Sequence, residues 1–590
     1  MKLYLKIIDI ARLSKMTQDD IHYYQKEIAY LGHTRKIFIE KFPKLAPFLS
    51  YDSKDPDIER IIENLAILTS KIHQELDQNI PYIAESLINI LSPNYTNILP
   101  SMCMQEFKFS ENSKLNKLII PKNSTVKSVS IEKCECEFKT VYDVYLYPLN
   151  IENVFLGSER QYHTLDIQLK VSREDLNIEH LGLDKLSIYL GDDVYTSSTL
   201  LFYMHQYLEE IKVISHDTKE EFKINTHNIK TMGLKPNESC LFYNDLGFES
   251  FSLLREYFFL PEKFNFISIQ GLDVLHECKG KLISIFFKFN KTLPKNCIVK
   301  NELFSLSTTP IINIFEKTAE PIINNHSKNG YRIFIDRTNL NAYDIVQIKQ
   351  VKAHNSDSGS RILKNYKNFE RFEFMQNKIQ DFYYITNKSN SKQDNFKEIS
   401  FFSSNNTNET ITIDVLCCNK NLPTHLKIGD INLIPFYKDA ITKNITIPTP
   451  VKQVKTNGDL LWKLVSILSF SYQTLLTKTS FFQVLESYSF PDDKTSEVVC
   501  QLLTSSIIDI KSKPSYLIDE YITKKGTMSI ISIDDSKFYS LGEVYKLGLI
   551  ISEFLSSFVS INSFCELKIK CINSKTTIHY PFKKGIKPIL

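Results

Sequence analysis

Glycine is scarce and scattered in this chain of 590 residues. Its 16 glycines never lie closer than six positions apart, the nearest pair being Gly542 and Gly548. A phosphate-cradling P-loop needs two glycines five apart, a nucleophile elbow needs them four apart, and a dinucleotide fingerprint two and three apart. Spacing alone excludes all three. Arginine is also rare: ten of the 71 basic residues are arginine, none lies beyond Arg371, and 68 acidic residues leave a net charge of +3. A near-neutral surface with few guanidinium forks is a poor match for a nucleic-acid-binding protein. The eleven cysteines include Cys134-x-Cys136 and the vicinal pair Cys417-Cys418 but no C-x-x-C. Such scatter reads as reduced, buried thiols in a cytoplasmic protein. No apolar run reaches the roughly 18 residues of a membrane span. The longest, Leu460 to Leu476 and Leu547 to Ile561, are broken by Lys463 and Glu553, and Lys6, Asp9 and Arg12 interrupt the N-terminus, so neither a span nor a signal peptide is expected.

What is present is core material: 43% hydrophobic and 12% aromatic residues. At roughly 150 residues per domain the length predicts three or four domains. The first hundred residues read as helical. Asp20 to Lys41 forms one stretch, stopped by Phe42-Pro43. A second opens at Asp55-Pro56, where Asp55 suits the N-cap and Pro56 the first helical position. Its apolar residues Ile58, Ile61, Ile62, Leu65, Leu68, Ile72 and Leu76 recur at spacings of three and four, one face of a helix. Pro81 to Ile90 gives a third, and together they make a bundle or part of one.

From Met102 the texture becomes short alternating runs: Met104 to Phe109, Lys117 to Ile120, Val141 to Leu146, Leu165 to Val171, Lys185 to Leu190, Phe264 to Ile269 and Leu282 to Phe289. These predict antiparallel strands, interrupted by one helix from Ser197 to Ile214. The segments Ala353 to Lys367 and Asn387 to Asn408, rich in Asn, Ser, Lys and Asp, read as mobile loops. Beyond them come a strand at Thr410 to Leu416, helices at Leu460 to Leu476 and Leu541 to Phe558, and a strand at Glu566 to Ile572. The fold class expected is multidomain α+β: an N-terminal helical bundle segment, then largely antiparallel β domains with interspersed helices. Its divisions are an extension at 1–19, a helical assembly region at 20–100, a β-rich domain at 101–330, a second at 331–455 with the mobile loops, and a C-terminal α+β domain at 456–590.

Chemistry is harder to find. His276-Glu277-Cys278 is the one tight cluster of ligand-type side chains, and zinc needs a third or fourth donor that no second cluster supplies. Neither a metal nor a cofactor is expected. The acid pairs Asp19-Asp20, Asp192-Asp193, Asp492-Asp493 and Asp534-Asp535 leave open a β-rich cytoplasmic hydrolase using paired carboxylates, although those after Gly191 and Pro491 suit turns. The dense aromatic run Tyr257 to Phe266 suits core packing around a helix stopped by Pro261; a base-stacking platform would need more basic residues than Arg255 and Lys263. Trp462, the sole tryptophan, reads as a core anchor.

The segment Leu253-Leu254-Arg255-Glu256-Tyr257-Phe258-Phe259-Leu260-Pro261-Glu262-Lys263-Phe264, continuing to Gly271-Leu272, resembles the TssF (VasA/ImpG) family of type VI secretion system baseplate proteins. Other stretches are similar in the same order, among them Tyr23 to Leu31, Asp55 to Arg60, Ser92 to Tyr95, Ile98 to Met102, Cys136 to Thr140, Thr309 to Phe315, Cys418 to Pro423, Phe558 to Phe564 and Gly585 to Leu590. Departures are few. Asn123 stands where the family tends to have a turn glycine, and asparagine tolerates positive φ; Tyr580-Pro581-Phe582-Lys583 replaces a Trp-Pro-Pro-Arg. The resemblance implies a non-enzymatic wedge subunit of a contractile injection machine. It would pair as two copies with one TssG, contact TssE and TssK, surround the VgrG spike, and couple baseplate rearrangement to sheath contraction. Implied with it is a cytoplasmic protein docked at the inner-membrane complex without inserting in the membrane. On that reading Ile61, Leu65, Leu68, Ile72 and Leu76 are candidates for an inter-subunit seam; as a plain amphipathic stripe they would serve equally as a private core.

Overall fold

Alternating sequence becomes strand wherever one face can be buried and the other left wet. The computed structural model describes residues 18–41, 60–61, 63–72, 88, 97–158, 162–241, 249–355, 359–366, 381–389, 395–402, 408–452, 466–467, 470–488, 494–519 and 522–585. They fall into two units, 1–88 with 456–465, and 89–455 with 466–590. The architecture is α+β with largely antiparallel sheets.

In the first unit, Gln18–Lys41 is helical, as are residues 60–61 and 63–72. Partial burial and then the charge of Glu63 raise the pKa of Tyr24. The Pro81 to Ile90 helix, apart from Ile88, lies outside the described residues, as do Leu76 and Trp462.

The larger unit is built from several sheets. The first is six-stranded, in the order Ile431–Leu433, Thr125–Ile131, Cys134–Thr140, Thr308–Ile312, Met102–Phe109, Ala440–Asn444. Its two edges are bridged by buried amides. The Asn444 side chain accepts from the N–H of Gly429 (2.9 Å) and Ile431 (3.0 Å) and donates to the carbonyls of Lys427 and Thr446 (both 3.0 Å). Gln105 donates to the carbonyl of Ile431 at 2.8 Å. Inside lie Cys103, Phe107, Val126, Phe138, Ile311 and Ile431. Because Met102–Phe109 pairs with Ala440–Asn444, this sheet crosses the division drawn at residue 330. Asn123 sits at φ +66° in its turn, as expected for asparagine in place of glycine.

A five-stranded sheet carries the predicted strands His163–Val171 and Leu282–Phe289 in register. Here one expectation fails. The helix read from Ser197 to Ile214 ends at Gln206, and Leu208–Ser215 is a strand paired with Leu282–Phe289. The β-branched alternation of Ile211 and Val213, both buried, competes with helix propensity and wins once a partner strand is present. A second correction concerns the segments read as mobile loops. Asp344–Asn355 and Gly359–Asn365 pair, as do Phe382–Ser389 and Asn395–Phe402, all within one large sheet. Ala353, Leu363, Tyr383 and Ile399 are buried on one face, while the abundant Asn, Ser and Lys occupy the other and hide the period of two. The Leu460 to Leu476 helix is a third correction: among its described residues Phe470 is not helical and Ser471 opens a separate short helix at Tyr472–Leu475 by capping Thr474 N.

At the C-terminal end Ile522–Ile533 and Phe564–Cys571 run parallel, joined by helix Leu541–Ser556. This helix is buried along most of its length against Val194–Gln206 and the Phe564–Cys571 strand. Gly542 permits the crossing, since a Cβ there would sit 2.1 Å from the carbonyl oxygen of Ser198. Tyr580 stacks on Tyr545 (5.5 Å between centroids) and donates to the carbonyls of Val544 and Tyr545.

Asn444→Ala leaves two amides and two carbonyls without their side-chain partner, so we expect a loss of about 3 kcal/mol, read as a lower urea midpoint. Gly542→Ala forces the two helices apart and should lower the melting temperature more than Gly32→Ala, whose Cβ meets nothing within 4 Å.

Candidate functional site

Helix 63–72 is built the wrong way round for a private core. Ala66 is fully buried and Ser70 nearly so. The large apolar side chains of the stripe face out: Ile61 is 66% exposed, Leu65 45%, Leu68 58% and Ile72 49%. The helix thus packs through small residues and leaves these four large ones, and Ile67 as well, in water. At about 25 cal/mol per Å² of apolar surface, such exposure is a standing cost that a partner would relieve.

The segment Leu253 to Phe264 belongs to the larger unit and is mostly internal, with Pro261 exposed and Tyr257 and Glu262 half-buried. Helix Glu249–Phe259 is followed by Leu260 and the turn Pro261–Phe264. Phe258, Phe259, Phe264 and Phe266 are buried, so the aromatic run is core. At its centre are two charges that sequence reading left unassigned, Glu256 and Lys263, both essentially without solvent exposure and ion-paired to each other. The second carboxylate oxygen of Glu256 accepts from the Ser239 hydroxyl and from the amides of Cys240 (2.9 Å) and Leu241 (3.2 Å). Beside this pair, Lys546 donates to Asn265 Oδ1 at 3.1 Å, and Asn265 Nδ2 donates to the carbonyl of Gly191 at 2.9 Å. Burial lowers the Lys546 pKa to about 8, against the opposing charges of Glu543 and Glu262. Burial raises both of those carboxyls.

Several of the acids singled out in the sequence have structural partners. Asp193 caps the Val194–Gln206 helix through Thr196 N. Asp534 accepts from Ser536 N and Asn573 Nδ2, and the Ser536 hydroxyl chiefly holds its carboxyl below the usual range. Asp535 accepts from the amides of Asn573 and Ser574. Asp492-Asp493 lies outside the described residues. His276 pairs with Asp184 at 3.2 Å and Cys278 is buried; among the described residues no three such side chains converge as a metal site. A groove of about 990 Å³ is lined in part by Glu106, Lys108, Lys443 and Arg173. Glu106 pairs with both lysines there, and Arg173 with Asp175. All eleven cysteines are free and buried. No described helix is long and apolar enough to cross a membrane.

Removing one member of a dehydrated ion pair strands the other, so Lys263→Met should cost about 3–5 kcal/mol. Glu256→Gln/Lys263→Met should recover part of that loss, both read by urea unfolding. For Lys546 the folded pKa lies below the unfolded value near 10.4, so the unfolded state binds the extra proton between pH 8 and 10.4. Its contribution to stability therefore rises with pH across that window. The stability difference between wild type and Lys546→Met should shift toward wild type as pH is raised from 7 to 10, measured by unfolding at each pH.

The chain matches the family model described as type VI secretion system, TssF, over residues 16–587. The type VI secretion system component TssF1 of Pseudomonas aeruginosa is 23% identical, covering 97% of this chain and 99% of that protein. The fold is similar to a chain in a cryo-electron microscopy structure of a type VI secretion system TssK-TssF-TssG baseplate subcomplex, with a TM-score of 0.76 at 20% identity over 90% of this chain and 99% of the other. A chain in a second structure, the baseplate complex from the type VI secretion system, gives 0.60 at 17% identity, covering 97% and 100%. With a family model spanning nearly its whole length and the fold agreeing, the chain belongs to the TssF family of the type VI secretion system.

Proposed function

We propose that the chain is a structural, non-enzymatic wedge subunit of a type VI secretion baseplate. It assembles with a TssG-like subunit, two copies of this chain to one partner, and with TssK. TssE and the VgrG spike complete the assembly, which stands in the cytoplasm at the inner-membrane complex and couples baseplate rearrangement to sheath contraction. Family membership supports the reading, and so does the naming of TssK and TssG beside TssF in the similar structure.

One observation carries it: the outward stripe Ile61, Leu65, Leu68 and Ile72 on a helix whose buried face holds Ala66 and Ser70. Spacings of four, three and four are those of a two-helix seam, so the occupant we assign is a helix of a partner subunit. Leu76 continues the stripe in sequence. The competing hydrolase needs uncommitted carboxylates, and Asp193, Asp534 and Asp535 are occupied as caps and loop acceptors.

Co-expression with a tagged TssG-like protein from the same genome, followed by light scattering, should give a species of two chains per partner. A monomer that ignores the partner would overturn the proposal. Leu68→Ala should leave the isolated chain within about 0.5 kcal/mol of wild type and weaken the complex about tenfold. Unfolding of the isolated Leu68→Ala chain would instead mark the stripe as private core.

A further inference from the structure

Two sheet edges of the larger unit meet at the groove of about 990 Å³. Ser305–Leu306 is the outermost strand of the four-stranded sheet, paired on its inner side with Ile188 and Tyr189, and Leu149–Ser158 is the outermost strand of the five-stranded sheet. Ser305 and Leu306 line the groove from the first edge, Leu149 to Ile151 from the second. An edge strand carries a row of backbone donors and acceptors that a further strand can pair with. Asn301, also in the lining, answers two of them with its side chain: Oδ1 accepts from Val154 N at 2.8 Å, and Nδ2 donates to the Glu152 carbonyl at 3.2 Å. One side-chain amide does there what a neighbouring strand would do with its backbone.

Charge divides the groove. At one end Lys108 (3.4 Å) and Lys443 (3.5 Å) share the carboxylate of Glu106. At the other, Gly191, at φ +81°, runs so close to Leu303 that a Cβ would lie 2.7 Å from its carbonyl oxygen. That approach brings the adjoining acids, Asp192 and Glu302, to the same place. Both are exposed in the lining, and neither has an ion pair among the described residues. The cations of the groove are therefore committed, and two of its carboxylates are not.

We propose that this groove seats an extended segment of a partner subunit, added as a strand at the two edges, with a lysine or arginine of that segment beside Asp192 and Glu302. The edges supply backbone pairing, and the acids fix register and direction. The inference deepens the wedge reading and rests on it for which protein supplies the segment. All of the lining belongs to the larger unit, so the groove is a second surface beside the stripe at Ile61 to Ile72.

The test uses the full chain and overlapping peptides of about a dozen residues, long enough for one strand, that tile the TssG-like subunit. Fluorescence anisotropy should find a peptide with a basic residue that binds. Asp192→Lys/Glu302→Lys, which alters exposed side chains only, should keep the wild-type melting temperature and weaken that peptide about tenfold. The same variant should bind a copy of the peptide whose basic residue is glutamate as tightly as wild type binds the original. A copy methylated on its backbone nitrogens should not bind, because pairing at a sheet edge runs through those N–H groups. In the assembled complex, benzoylphenylalanine at position 150 should crosslink to the same stretch of the partner. No bound peptide, binding that ignores the charge exchange or the methyl groups, or a crosslink to another stretch would overturn the groove, and cleavage of the bound peptide would overturn it in favour of the hydrolase. Light scattering separates the two readings. A complex that forms while no peptide binds removes the groove and leaves the wedge; a peptide that binds where no complex forms removes the wedge and leaves the groove.

Discussion

Everything around the Leu253 to Phe264 segment depends on keeping one buried ion pair satisfied. Glu256 and Lys263 have no water, and two charges taken out of water are tolerable when each remaining lone pair and proton finds a partner. The pair meets that condition by recruiting neighbours. The Ser239 hydroxyl and the amides of Cys240 and Leu241 converge on one carboxylate oxygen, which fixes the loop, and the loop in turn lies beside the strand root at Asn97 to Pro100. A cluster that looks like an active site when viewed as a list of charged residues is, in its surroundings, a fastener.

The same economy recurs through the larger unit. Asn444 bridges the edges of the six-stranded sheet. Asn313, fully buried, donates to Asn419 Oδ1 and to the Glu137 carbonyl and accepts from the Asn419 amide, joining segments about a hundred positions apart in sequence. Lys546 ties the long C-terminal helix to Asn265 and, through it, to Gly191. Polar groups that are buried and mutually satisfied specify geometry better than apolar packing does, because a small displacement leaves a donor or acceptor stranded. On the proposed wedge reading, a subunit that carries load gains from that fixed geometry.

The helical unit follows the opposite rule. Its 63–72 helix buries alanine and serine and exposes isoleucine and leucine. On the proposed wedge reading, that apolar surface is what the helical unit offers to a partner subunit.

Several features were legible in the sequence because they depend on neighbours along the chain. The strands Met102–Phe109, His163–Val171 and Leu282–Phe289, the helices Gln18–Lys41 and Leu541–Ser556 and the absence of phosphate-binding and nucleophile motifs all follow from spacing and local propensity. What depends on partners far away in sequence was not. Leu208–Ser215 became strand because Leu282–Phe289 was there to pair with it, and the Asn- and Lys-rich stretches near Ala353 and Ile399 became sheet because their few apolar residues fell on a face with a core to meet. The stripe from Ile61 to Ile72 was visible at once, but periodicity gives a face and not its direction. Which side is buried is decided by where the rest of the chain supplies a surface, and here that surface took Ala66 and Ser70.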